Sequence, residues 1–281
     1  MEKLNFVKGI SYKDFTVESS EYSEAAKSTI IRLKHKSGLT VVHFANKCQD
    51  NMVFFGFRTA DKTACGTPHI MEHSVLCGSE KYKVKDPFIS MANQSVNTFL
   101  NAFTYPDFTG YPVSSTNKKD FFNLASVYAD AVFFPMLDEG AFMQEGHRLE
   151  IGDDGKVSIQ GVVYNEMKGA YSSAEQQLFD AIQTSLLPDT TYGCDSGGNP
   201  VSIPDLTYED FLDFHKKYYH PSNSYIYLYG DMDMEEKLRF IDEEYLSAFS
   251  AQEVDSELLW QSAFEETHDI HKEYSISEGE E

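Results

Sequence analysis

Apolar residues early in the chain cluster in short runs rich in β-branched and aromatic side chains, a composition typical of strands. Three such runs between residues 28 and 60 are STIIRLKH, LTVVHFAN and NMVFFGFRTA. Lys36, Ser37 and Gly38 form the predicted turn between the first two. We expect these strands to form a β-meander that opens the fold.

Two more strands are predicted in NTFLNAFTY and FTGYPVSS, which Pro106 and Asp107 separate, so a hairpin is expected there. Apolar residues then recur at helical spacing in DFFNLASVYADAVFFP, which ends at Pro135. Further helices are predicted in DPFISMANQ, DEGAFMQEGHRLE, residues 158–187, TYEDFLDFHKKYYHP with Thr207 as N-cap, and EEKLRFIDEEYLSAF. The strand SYIYLYGDM lies between the last two helices.

Strands followed by helices and a returning strand predict an α+β fold, in which helices pack on one face of an antiparallel β-sheet. We expect one domain over residues 1–250. Residues 251–281 are acidic and weakly periodic, so we expect a linker followed by the truncated start of a second domain.

The chain has 281 residues, and its 41% hydrophobic content can build a substantial core. Its 23 basic and 45 acidic residues give a formal net charge of −22, which disfavours nucleic acid and anionic membranes and favours basic peptides. The sequence contains no apolar run long enough for a membrane span and no recognisable targeting segment, so we expect a cytoplasmic protein, or an organellar one if such a segment has been removed.

The motif with the clearest chemistry is HIMEH, residues 69–73. It lies in GTPHIMEHSVLCG, which predicts a helix with Thr67 as N-cap, Pro68 at the first position and Gly78 after its end. On such a helix His69 and His73 share one face, at a spacing that allows both imidazoles to bind one zinc ion. A salt-bridged helix surface is the alternative interpretation.

Glu72 lies beside both histidines in this helix. Its carboxylate can lie near the metal without binding it, hold a water molecule there and take a proton from that water as it attacks a substrate. The motif therefore predicts a hydrolase.

A catalytic zinc ion needs a third protein ligand and an open fourth position. Glu166 in GVVYNEMKGAYSS is a strong candidate, because it lies on a later predicted helix with an apolar inner face. The other candidates, which spacing alone does not exclude, are Glu175, Asp180 and Cys194.

Two other features have simpler interpretations. His215 and His220 are five residues apart, which places them on different faces of a helix, so we expect packing or surface roles. The segment CDSGGNP, residues 194–200, lacks the lysine of a phosphate-binding loop, and we expect a turn-rich loop that borders the cleft.

Four segments together resemble the inverzincin metallopeptidases of the pitrilysin and insulysin type, and in particular their presequence-protease and falcilysin branch. In chain order they are HIMEH, NTFLNAFTYPDFTGYPV, GVVYNEMKG and DLTYEDFLDFHKKYYHPSNSYIYLYGDMD. The resemblance covers about residues 20–250. It implies an α+β zinc endopeptidase domain with one zinc ion held by His69, His73 and Glu166, and with Glu72 as the general base.

The resemblance also implies where a substrate binds. Asn101, Ala102, Phe103 and Thr104 would lie on an edge strand to which a peptide adds as an extra strand, and Phe103 would face the side chain after the cleaved bond. Recognition through the peptide backbone implies broad specificity for short unstructured peptides.

Full members of this branch are several times longer, with two similar halves that close on each other. The resemblance therefore implies a C-terminal half, absent from this chain, that helps to bind the substrate and to stabilise the transition state. Two alternatives belong to other functional classes. One is a zinc lyase of the S-ribosylhomocysteine-cleaving type, with Cys194 as third ligand, and the other is a non-catalytic half of a two-part peptidase.

Overall fold

The computed structural model describes residues 6–85, 87–267, 269–271 and 273. The strands are β1 (Ser11–Tyr12), β2 (Phe15–Ser23), β3 (Ser28–His35), β4 (Thr40–Ala45), β5 (Asn51–Arg58), β6 (Asn97–Leu100), β7 (Phe103–Thr104), β8 (Phe108–Ser115), β9 (Arg148–Ile151), β10 (Val157–Gln160) and β11 (Ser224–Gly230). The α-helices are α1 (Thr67–Val75), α2 (Pro87–Gln94), α3 (Lys118–Phe133), α4 (Glu139–Glu145), α5 (Val162–Ala170), α6 (Ala174–Leu186), α7 (Tyr208–Tyr218) and α8 (Met234–Glu244).

Nine strands form one sheet in the order β1-β2-β3-β4-β11-β5-β8-β6, and β7 also pairs with β8. The predicted α+β fold is confirmed, but the sheet is not purely antiparallel, because β11 runs parallel to β4. The expected meander is also wrong, since β11 lies between β4 and β5. A long connection separates β11 from both strands in sequence, so no short turn dictates its position or direction.

Most predicted elements are present, and the differences have local causes. β2 was not predicted, because buried and exposed positions alternate only over its first half. The segment after Pro135 was predicted as one helix, but the helix in it ends at Glu145 and the chain continues as β9. This strand pairs with β10 in a separate two-stranded ribbon. The predicted N-cap of α7, Thr207, is confirmed, because its side chain accepts a hydrogen bond from the Asp210 amide.

The core lies between one face of the sheet and the helices. On β5, Val53, Phe55 and Phe57 are buried on this inner face, while Phe54 between them is only half-buried on the open face. The ring of Phe133 on α3 packs edge-on against Phe57, with centroids 5.7 Å apart. Helices thus cover one face, as predicted.

After α8 the chain has no further α-helix or strand within the described residues. Residues 250–262 instead lie along the domain: the Gln252 amide donates to Ser222 Oγ, Ser256 Oγ to Asn223 Oδ1, and the Gln261 side-chain amide to Asp189. The boundary at residue 250 stays a prediction, and most of the predicted start of a second domain lies outside the described residues. In the described part of the chain, no helix has both the length and the apolar composition needed to cross a membrane.

His43 is a buried histidine on the inner face of β4, and it belongs to no predicted site. It is 2% exposed, and within the described residues neither ring nitrogen makes a hydrogen bond of normal geometry, although the Gly230 carbonyl lies nearby. Burial lowers the pKa of His43 to about 3; the nearby Lys237 ammonium adds to the lowering, and the Gly230 carbonyl opposes it. Protonation of this imidazole therefore competes with folding.

We expect acid to destabilise the protein partly through His43. The unfolded chain takes up a proton near the ordinary pKa of 6.5, whereas the folded chain does so only near 3, so the free energy of unfolding falls as the pH drops through this window. By pH 5 the loss due to this residue is about 2 kcal/mol.

Urea unfolding at pH 7 and pH 5 tests this expectation. The His43→Leu variant should lose less stability between the two pH values than the wild type, because it has no imidazole to protonate. His271→Leu, at an exposed position, is the matched control and should behave like the wild type. An unchanged pH dependence in His43→Leu would contradict the buried neutral imidazole.

Candidate metal centre

The start of α1 is set by a close approach of two glycine-containing loops. Gly66 is the N-cap, with a left-handed φ of 67°, and the predicted N-cap Thr67 is instead the first helical residue. A Cβ atom at position 66 would lie 2.6 Å from the Gly197 carbonyl oxygen, so a side chain there would push the two loops apart. The segment around Gly197 therefore borders α1, as expected for this loop.

The buried face of α1 orients its histidines. Ile70, Met71 and Val75 are fully buried against the core. Because residues three and four apart share a helix face, His69 and His73 lie together on another face, with ring centroids 4.9 Å apart. The predicted alignment of the two imidazoles is present.

His69 is oriented by the backbone of the neighbouring loop. Its Nδ1 donates a hydrogen bond to the Gly197 carbonyl at 3.2 Å, and its Nε2 lies 3.8 Å from Glu166 Oε2. The loop keeps its shape because Asp195 accepts hydrogen bonds from the Gly197 amide at 2.8 Å and from the Tyr171 hydroxyl at 3.1 Å. Nε2 of His69 is therefore the nitrogen that faces the third candidate ligand.

His73 is oriented by a carboxylate. Its Nδ1 donates to Glu145 Oε2 at 3.2 Å, which leaves Nε2 available. Burial disfavours the imidazolium, but the hydrogen bond to Glu145 and the carboxylates of Glu72 and Glu166 outweigh it and raise the pKa of His73. A bound dication would displace the second proton of the imidazolium, the one on Nε2, since metals bind neutral imidazole.

Glu166 reaches this position through the packing of α5. Val163 and Met167 on the same helix are buried, while the Glu166 side chain is 55% exposed. The N-cap of the helix is Gly161, where a Cβ atom would lie 2.0 Å from the Gly146 carbonyl oxygen, so the end of α4 and the start of α5 are in close contact.

The candidate ligand atoms of His69, His73 and Glu166 all lie within 4.8 Å of one another. Two imidazoles and one carboxylate are a donor set that catalytic zinc ions use, and three protein ligands leave a position open. The residues therefore fit the zinc ion that the sequence predicts.

The other candidates for third ligand are not in this group within the described residues. Asp180 accepts a hydrogen bond from the Tyr171 hydroxyl at 2.9 Å, and Cys194 Sγ donates to the Lys62 carbonyl at 3.2 Å. The lyase alternative, which requires Cys194 as a ligand, has no support from this geometry. His215 is half-buried, and its Nε2 donates a hydrogen bond to the Val132 carbonyl at 3.0 Å, in agreement with a packing role.

One further donor group contains Asp14, His35 and Asp242. Both nitrogens of His35 are already hydrogen-bonded, to Ser37 Oγ at 2.8 Å and to Asp242 Oδ1 at 3.0 Å. This group joins the turn after β3 to α8, and its imidazole has no free lone pair for a metal.

Glu72 lies between the histidines in sequence and is 8% exposed. The Thr104 hydroxyl donates a 2.6 Å hydrogen bond to its Oε2. Burial raises the pKa of Glu72 above its ordinary value, against the opposing effects of Thr104, His69 and His73, and the charge of Glu166 adds to the rise. A carboxylate with a raised pKa is a better proton acceptor at neutral pH.

The predicted substrate-binding residues lie on the edge of the sheet. β6 and β7 pair with β8 on one side, and within the described residues no strand pairs with their other side. Thr104 bonds Glu72, so its neighbour Phe103 points to the opposite sheet face, where its ring packs 5.8 Å from that of Phe54. The predicted contact between Phe103 and a substrate side chain stays a prediction, and its ring lies away from Glu72.

Asn101 and Ala102 line a cavity of about 430 Å³ next to the histidines. Glu72, His73 and Glu145 form its polar side. Its apolar side consists of Leu76, Phe88, Ile89 and Val162. The cavity can therefore hold an apolar side chain beside Glu72.

Sequence reasoning missed Glu145 and Gly197, which orient the two imidazoles. Neither residue has a spacing relation to HIMEH: Glu145 is 72 residues from His73, and Gly197 is 128 residues from His69. The glycine pair in CDSGGNP indicated a loop. It did not indicate that the Gly197 carbonyl would accept a hydrogen bond from His69 on α1.

Comparisons with known proteins agree with the resemblance. A family model described as "Peptidase M16 inactive domain" matches residues 205–281. All four residues predicted to carry the chemistry lie before residue 205, outside that match: His69, Glu72, His73 and Glu166.

Curated relatives match most of this chain. "Protein HypA" of Clostridium perfringens is 46% identical over 281 residues, covering 99% of this chain and 29% of that protein. "Presequence protease 1, chloroplastic/mitochondrial" of Arabidopsis thaliana is 49% identical over 254 residues, covering 89% of this chain and 23% of that protein. The chain thus spans about a quarter of the length of these relatives.

A crystal structure of pitrilysin has the same fold, with a TM-score of 0.69 at 17% identity over 88% of this chain and 26% of that one. Presequence proteases from several animals are also similar, including that of Xenopus laevis at 43% identity over 285 residues. The resemblance seen in the sequence is confirmed, and the chain belongs to the M16 peptidase family.

Proposed function

We propose that this chain is a zinc-dependent endopeptidase domain that cleaves short unstructured peptides. His69, His73 and Glu166 hold one zinc ion, and Glu72 is the general base. The observation that carries the proposal is the convergence of three donor atoms within 4.8 Å beside a buried carboxylate on the same helix. Membership of a peptidase family supports the reaction class.

When bound, zinc would act as a Lewis acid and would lower the pKa of a water molecule. Glu72 accepts the proton of the attacking water, because burial makes its carboxylate more basic. The Thr104 hydroxyl holds one oxygen of Glu72, so the other oxygen can turn toward the water. The proton then passes from Glu72 to the leaving amine of the cleaved bond.

The substrate adds as a strand along β6 and β7, whose outer backbone groups have no partner strand within the described residues. Thr104 belongs to β7 and its hydroxyl donates a hydrogen bond to Glu72. A peptide paired with this edge therefore lies next to the general base. An apolar side chain next to the scissile bond occupies the cavity that Leu76, Phe88 and Ile89 line. The net charge of −22 favours basic peptides.

The longer relatives contain about three to four times as many residues, so we propose that the remainder of such a protein is the partner of this domain. It would close over the peptide and exclude bulk solvent from the site, apart from the attacking water. Incubating the chain and zinc with a quenched basic peptide tests whether this domain is sufficient. Zinc binding without cleavage would mean that a further part completes the active site.

Glu72→Gln should abolish cleavage and leave zinc binding unchanged, because the amide cannot accept the proton and Glu72 is not a proposed ligand. We expect turnover to fall by about 10²- to 10⁴-fold. Glu80→Gln, an exposed residue near the same helix, is the control and should keep full activity. Undiminished cleavage by Glu72→Gln would remove Glu72 from the mechanism.

Glu166→Gln should weaken zinc binding by more than about 100-fold. Loss of a residue that merely hydrogen-bonds a metal ligand costs at most about 100-fold, and loss of a ligand itself should cost more. Glu175→Gln makes the same chemical change at an exposed position of the next helix and should bind zinc like the wild type. Chelator competition measures both affinities. The reverse order of effects would make Glu175 the third ligand.

Substrate peptides N-methylated at single positions test the edge-strand mode of binding. In an added strand, alternate N–H groups point to β6–β7 and to solvent, so methylation should lower kcat/KM at every second position only. A lost backbone hydrogen bond should cost about 3- to 10-fold at those positions. A uniform or random effect of methylation along the peptide would contradict strand addition.

A further inference from the structure

Glu145 is placed where a carboxylate is costly. It is the last residue of α4, it is 7% exposed, and the C-terminal end of a helix repels negative charge. Its two oxygens have separate partners: Oε1 accepts from the Gln144 side-chain amide at 2.8 Å, and Oε2 accepts from His73 Nδ1 at 3.2 Å. A buried carboxylate with this much local support holds its imidazole partner in one orientation.

The contact determines which nitrogen of His73 can bind a metal. Because Nδ1 carries the proton that Glu145 accepts, the lone pair is on Nε2. His69 has the same arrangement, with the neutral Gly197 carbonyl as acceptor and Nε2 toward Glu166. The two imidazoles thus present equivalent nitrogens, but only His73 is backed by a full negative charge.

A second contact, between Gly146 and Gly161, links Glu145 to the helix of the third candidate ligand. A side chain at Gly161 would collide with the Gly146 carbonyl, so the residue after Glu145 and the residue that starts α5 are in direct contact. α5 carries Glu166. The junction of α4 and α5 therefore fixes both the carboxylate behind His73 and the helix of the third ligand.

We propose that Glu145 is a positioning residue of the metal centre, which holds His73 with Nε2 toward the metal and increases its strength as a ligand. The inference rests on the proposed zinc site and adds a residue to it. Carboxylates behind metal-binding histidines act in this way, and their loss typically lowers metal affinity 10- to 100-fold.

Two variants separate the parts of this role. Glu145→Gln keeps an oxygen that can accept from Nδ1 and removes the charge, whereas Glu145→Ala removes both. We expect zinc affinity to fall about 10-fold in the first variant and up to about 100-fold in the second. Glu139→Gln, at the exposed start of the same helix, is the matched control and should bind zinc like the wild type.

Zinc affinity is measured by chelator competition, and the visible spectrum of bound Co²⁺ reports the ligand geometry independently of catalysis. The spectrum should change in Glu145→Ala and not in Glu139→Gln. Thermal unfolding of the zinc-free proteins shows whether each variant is folded. Because Gln has nearly the shape of Glu, Glu145→Gln tests the proposal even if the alanine variant unfolds.

The outcomes separate the two proposals. Wild-type zinc affinity and Co²⁺ spectrum in folded Glu145→Gln and Glu145→Ala would overturn the role of Glu145 and leave the zinc site intact. A wild-type protein that binds no zinc would overturn the zinc site and, with it, the role of Glu145. Graded loss of affinity in the order wild type, glutamine, alanine supports both.

Discussion

The packing of α1 against the core is the constraint on which the candidate metal centre depends. Ile70, Met71 and Val75 are fully buried, and each such side chain stabilises the helix position by about 1.5–3 kcal/mol. This burial fixes the rotation of the helix about its axis. The two histidines and Glu72 then have little freedom, and the loop at Gly197 and the hydroxyl of Thr104 meet them at hydrogen-bond distance.

The charges around this helix explain why the site suits a cation. Three carboxylates, from Glu72, Glu145 and Glu166, converge on two imidazoles. Burial raises the pKa of Glu72, and the charge of Glu166 adds to that rise, against the opposing effects of Thr104, His69 and His73. A dication would offset this charge, and the position of Glu145 behind His73 would strengthen the bond to it. Burying these carboxylates together costs folding free energy, and the proposed metal ion would offset part of that cost.

The location of the site relates the fold to the proposed reaction. The metal centre lies beside the outermost hairpin of the sheet, where the strand edge has no partner within the described residues. Exposed strand edges usually invite pairing with other chains. Here Thr104 on the edge strand donates a hydrogen bond to Glu72, so a peptide paired with this edge would have its backbone next to the proposed general base. The open sheet face beyond the hairpin is aromatic, with Phe54 and Phe103 in contact.

Spacing rules within single elements were sufficient to predict the local chemistry. Helical periodicity places residues four apart on one face, so HIMEH predicted two aligned imidazoles with Glu72 beside them. Hydrophobic patterns identified most strands and helices for the same reason: each depends on neighbours in sequence. The N-cap of α1 was misassigned, because Gly66 is selected by its contact with Gly197, which no local pattern contains.

Contacts between segments that are distant in sequence became apparent only in the folded chain. From the residues alone, Glu166, Glu175, Asp180 and Cys194 were all possible third ligands, and packing brought only Glu166 to the histidines within the described residues. Glu145 was not predicted at all, because its contact with His73 spans 72 residues of chain. The position of β11 between β4 and β5 was not predictable either, because β11 is distant from both strands in sequence. Contacts between distant segments depend on how whole elements pack, and a spacing rule within one element has no information about them.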